Sequence, residues 1–105
     1  MKCFHFLKAD MRPGSGPSRQ RPWKIGDRRT IRGGVIEPCL RGYHGSLTLY
    51  DALRYAPGPV ACIVELGDDA IPHGNPARGP DSKPSLVVDK YASRSRTLLA
   101  AVNVE

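Results

Sequence analysis

The chain has 105 residues, 40% hydrophobic and 25% charged, with a net charge of +6. That length gives one domain with one modest core. No apolar run reaches the roughly 18 residues of a membrane helix, and residues 1–10 are too short and too charged an apolar stretch for a signal peptide. So no membrane association is expected. The cysteines number three and are widely spaced, which fits free thiols in a reducing compartment better than a disulfide scaffold and places the protein in the cytoplasm.

Residues 2–9 alternate loosely, with Cys3, Phe4, Phe6 and Leu7 apolar, and predict a first strand. His5 sits within it as a sheet-face histidine or a ligand-binding one. Residues 12–22 are polar and rich in Arg, Gly and Pro, which predicts a flexible basic loop. No phosphate loop is built there, since neither Gly14 nor Gly16 is followed by Gly-Lys-Ser or Gly-Lys-Thr. Trp23 and Ile25 are expected on the core, with a turn at Gly26-Asp27. The Thr30-Ile31 and Val35-Ile36 pairs flank Arg32-Gly33-Gly34, the pattern of a tight hairpin.

Turn, helix and strand signals agree best over residues 39–66. Leu49, Ala52, Leu53 and Ala56 recur at i, i+3, i+4 and i+7 and predict one apolar helix face over residues 47–56. Ser46 or Thr48 is the candidate N-cap, Asp51 suits the first turn, and Pro57 ends the helix. Residues 60–66 form an apolar run with β-branched members, read as a central strand covered on both faces. Seven Gly and Pro in residues 67–84 predict a long loop. Residues 85–88 read as a short strand, and residues 90–99 as an edge or solvent-facing strand, because neither of their faces is apolar throughout. Residues 98–104 are apolar and should dock on the core or on a second subunit. The fold class that follows is α+β: a single domain with an antiparallel sheet of about five strands and one main helix over about 47–56.

Charge is unevenly placed. Residues 1–42 hold ten Lys and Arg against three acids, and residues 43–105 hold six against seven. Such asymmetry points to an acidic partner, a nucleic acid or a nucleoprotein, with a merely solubilising surface as the competing reading. The candidate binding residues are Arg19, Arg21, Lys24, Arg28, Arg29, Arg32 and Arg41. Chemistry is less marked. Cys3, His5, Cys39, His44 and Cys62 lack the paired spacing of a zinc site, so no metal is assigned. No nucleophile elbow, paired-histidine helix or calcium loop is present, and no cofactor is required by any motif.

Two resemblances add to this reading. Gly42-Tyr43-His44-Gly45-Ser46 with Cys39 before it, the segment Tyr50 to Pro59 ending in Tyr-Ala-Pro-Gly, the strand end Val64-Glu65-Leu66-Gly67, and Asp89-Lys90 followed by Ala92 and Arg94 resemble a family of small uncharacterised phage and prophage proteins. The match spans about residues 30–99, and the chain departs from the pattern in the segment 67–84. The resemblance implies host-cell cytoplasm and no particular activity. A looser one is to ADP-ribosyltransferases, with His5, Tyr43, Tyr55 and the strand Val64 to Gly67 in the matching places, and His44 as a further candidate. It implies NAD as a cofactor, yet the late catalytic Glu has no counterpart, since Glu65 lies within a strand and Glu105 is the last residue given. The leading expectation is a non-catalytic, phage-type accessory protein that binds a host protein or nucleoprotein complex through its basic segment, as an anti-CRISPR inhibitor of a nucleic-acid-handling defence complex would. Direct nucleic-acid binding and an NAD-dependent transferase are the alternatives.

Overall fold

A computed structural model describes residues 1–14, 21–36, 42–78 and 84–105, with the backbone alone over 73–78 and 84–89. It is mostly β, which corrects the α+β expectation of one five-stranded sheet and a main helix. Two antiparallel sheets are present. The first has four strands in the order β1 (Lys2–Leu7), β4 (Val60–Leu66), β7 (Ser95–Asn103) and β2 (Arg28–Thr30). The second has three, in the order β3 (Tyr43–Gly45), β6 (Pro84–Ser93) and β5 (Ile71–Arg78).

Strand β4 sits inside the first sheet, as its hydrophobicity suggests, but it is covered on one face only. Val60, Cys62, Val64 and Leu66 are buried, while Ile63 and Glu65 between them are exposed. This is the period-2 alternation of a sheet with one wet side. The core gathers on that inner face, from Cys3 and Leu7 of β1, the β4 residues, Leu98 of β7 and Trp23. Trp23 is therefore the core anchor expected of it, whereas Ile25 is 64% exposed.

The helix α1 (Leu49–Leu53) has five residues, not the ten expected. Thr48 is its N-cap, and its hydroxyl accepts from the Asp51 N–H at 3.1 Å. Ser46 instead forms a backbone bridge with Phe4. Only Ala52 of the helix is buried, and Leu49 and Leu53 face solvent. One turn and a half cannot present a long apolar stripe, so the periodicity described a segment that mostly coils.

The segment 67–84 is not one long loop. Strand β5 pairs along β6 from Ile71↔Ala92 to Arg78↔Pro84, with a bulge between His73 and Gly74 that accommodates the Gly and Pro. Nor are residues 90–99 a single edge strand. The chain breaks at Arg94 and passes from β6, the middle strand of the second sheet, to β7, an inner strand of the first. Arg94 holds the break: its guanidinium donates to the carbonyls of Ile31, Gly33 and Gly34 at 2.7–3.1 Å, and its N–H donates to Asp69. The Ser93 hydroxyl donates to the same carboxylate at 2.6 Å. Those two donors, Ser93 first, hold the Asp69 carboxyl below the usual range. The expected hairpin around Arg32-Gly33-Gly34 is absent. Both glycines take positive φ in a turn that Arg94 clasps, and β2 pairs with β7 instead.

Candidate functional site

Two regions bear on function. The first is a pocket where the sheets meet. β1 is an edge of the four-stranded sheet, and the end of β3 is bridged to it by Phe4 and Ser46, whose backbones exchange hydrogen bonds at 2.7 and 2.8 Å. That close approach needs Gly45, since a Cβ there would stand 2.7 Å from the Cβ of Cys3. The gap left beside the bridge is a cavity of about 240 Å³. β1 contributes Phe4, His5 and Phe6 to it, and the β3 segment contributes His44, Gly45 and Ser46. Ala52 and Tyr55 close it from the helical side, and Lys90 from β6.

Three of the four catalytic candidates, His5, His44 and Tyr55, thus meet in one pocket. The fourth, Tyr43, does not. It alternates to the other face of β3 and meets Trp23 edge-on, with ring centroids 5.7 Å apart and planes at 89°. The transferase resemblance needs both tyrosines in one site, and among the described residues no carboxylate lines the pocket. His5 is held well below its ordinary pKa of 6.5, first by burial, then by the positive Arg96 and by His44, so it lines the pocket as a neutral imidazole at neutral pH.

Lys90 is the pocket residue that sequence reasoning missed as a candidate. It is 9% exposed, and its ammonium stands 4.2 Å from the centre of the Tyr55 ring. Among the described residues no carboxylate forms an ion pair with it. The available signal was a single Lys inside a run with the composition of a strand, Val87-Val88-Asp89-Lys90-Tyr91-Ala92.

The second region is the β2 edge. Arg28 on the strand, and Arg21, Lys24 and Arg32 in the segments that flank it, are exposed. Arg28 shares a shallow groove with Glu65 and Asp68, which offsets part of its charge. Arg29 points the other way. Its guanidinium lies 4.1 Å over the Trp23 ring, donates to the Pro22 carbonyl at 2.8 Å and faces Asp27 at 3.7 Å. Beneath it Arg96, 4% exposed, lies against the rings of Trp23 and Tyr43 at 4.7 and 5.1 Å and donates to the His44 carbonyl at 2.9 Å. Burial brings the Arg96 pKa down to about 10, which leaves it charged at neutral pH. Arg29 is thus a structural cation, with Arg96 and Arg94, while Arg19 and Arg41 lie outside the described residues.

Comparison with known proteins adds little to this geometry. One curated protein, a component of the mitochondrial glutamyl-tRNA(Gln) amidotransferase of Fusarium vanettenii, is 30% identical over 91 residues. That match takes in 85% of this chain but only 13% of the relative, so the chain spans about an eighth of that protein's length. No family model matches, and no solved structure does. Among the described residues no helix is long and apolar enough to cross a membrane.

Proposed function

We propose that the chain is a non-catalytic binding module that engages a nucleoprotein complex of its host cell through the β2 edge. One observation carries the reading: Arg21, Lys24, Arg28 and Arg32, on β2 and the segments that flank it, are exposed, while Arg29, Arg94 and Arg96 are engaged internally. Cations held on an ordered strand and its flanks meet phosphates without first being ordered. Inhibition of a nucleic-acid-handling defence complex is the form of this reading that the likeness to small phage proteins suggests.

Direct RNA binding is the second reading. It draws on the relative whose name includes a tRNA, and on the same cations. Capture from a host lysate with and without nuclease separates the two. A stoichiometric protein complex that survives nuclease supports the first reading, and a captured RNA that disappears with nuclease supports the second. Lys24→Glu with Arg32→Glu should abolish capture in either case, and undiminished capture by this variant would sink both. Arg29 is a poor choice for the same test, because its loss disturbs Trp23.

A further inference from the structure

We propose that the pocket between β1, β3, α1 and β6 binds a small organic phosphate of mononucleotide size, with Lys90 on the phosphate and Tyr55 against the planar ring. The inference is independent of the β2 edge and rests on three features of the pocket. First, Lys90 lines the pocket with its ammonium facing the Tyr55 ring, and among the described residues no carboxylate lines the pocket with it. A cavity lined by a cation and no carboxylate favours an anion inside it. Lysine meets phosphate as a compact point charge with three donors.

Second, the walls are aromatic beside that charge. Phe4, Phe6 and Tyr55 line the cavity together with Ser46. A ligand with a planar ring next to its anion matches both parts, whereas a bare inorganic anion matches one. Third, the volume of about 240 Å³ lies below the roughly 300–1,000 Å³ of sites that take drug-sized ligands. A mononucleotide is on that scale, and a whole dinucleotide is too large to be enclosed.

The test is calorimetric titration of the intact chain with AMP, with adenosine and inorganic phosphate as controls. AMP should bind, and each control should bind at least about tenfold more weakly. Lys90→Met should weaken AMP by about tenfold or more with no fall in melting temperature, because the substitution keeps the packed stem, and Lys90→Arg should retain binding. Tyr55, 42% exposed, supplies a second variant, and Tyr55→Ala should weaken AMP while leaving the fold intact. Failure of AMP to bind at millimolar concentration would overturn the proposal. So would equal affinity for inorganic phosphate, or unchanged AMP affinity in either Lys90→Met or Tyr55→Ala.

Discussion

Arg96 shows how a formal charge can belong to the interior. Its guanidinium lies against the rings of Trp23 and Tyr43 and donates to a carbonyl, yet its Nε and the Trp23 indole N–H have no partner among the described residues. Arg96→Ala removes two ring contacts and a charged hydrogen bond, and should cost roughly 2–4 kcal/mol in urea unfolding. Arg96→Met refills the space and should recover part of that loss. His5 makes a separate prediction about pH. Its folded pKa is depressed, so as pH falls below 6.5 the unfolded chain takes up a proton that the folded chain refuses. Stability is then lost on acidification, with a slope of up to about 1.4 kcal/mol per pH unit, and His5 adds no slope above that range. Urea unfolding of the wild type and of His5→Leu at pH 7.5 and 5.5 checks this. The variant should lose less stability between the two pH values, and equal losses would show that His5 is not the titrating group.

At the scale of elements, the sequence was most legible where one residue type dictates a local geometry. β1, the turn at Gly26-Asp27 and the Thr48 cap follow from short-range chemistry and are present, whereas the helix ends at Leu53, short of the expected stop at Pro57. The failures are long-range. Strand β5 was hidden because its Gly and Pro read as loop residues, and only pairing with β6 makes the segment a strand. Residues 90–99 looked like an edge because Arg94 and Arg96 spoil an apolar face, whereas one clasps a turn and the other fills the core. The pocket was half visible. His5, His44 and Tyr55 could be singled out by type, but nothing in their spacing showed that β3 would dock on β1 and bring Lys90 to them. Gly45 is what permits that docking. Gly45→Ala drives a Cβ to 2.7 Å from that of Cys3 and should cost roughly 1–3 kcal/mol by overpacking. A melting temperature unchanged from wild type would mean that the two strands separate easily.

At the scale of the whole molecule, the net charge of +6 is a poor guide to the binding surface until the structural arginines are set aside. The cations that remain exposed at the β2 edge lie away from the pocket lining, which leaves macromolecular and small-ligand binding as separable properties. Removing the edge charges should therefore leave AMP titration untouched, just as Lys90→Met should leave macromolecular capture untouched.

The most direct test of the edge is the salt dependence of its affinity for the captured partner, or for the RNA recovered with it. A nucleic-acid contact through Arg21, Lys24, Arg28 and Arg32 predicts that log K falls linearly with log salt, with a slope near −3 if all four meet phosphates of a single strand. Replacing Lys24 and Arg32 by Gln should bring that slope to about half. A slope near zero, or one that the double substitution leaves unchanged, would contradict the assignment of this edge as the binding surface.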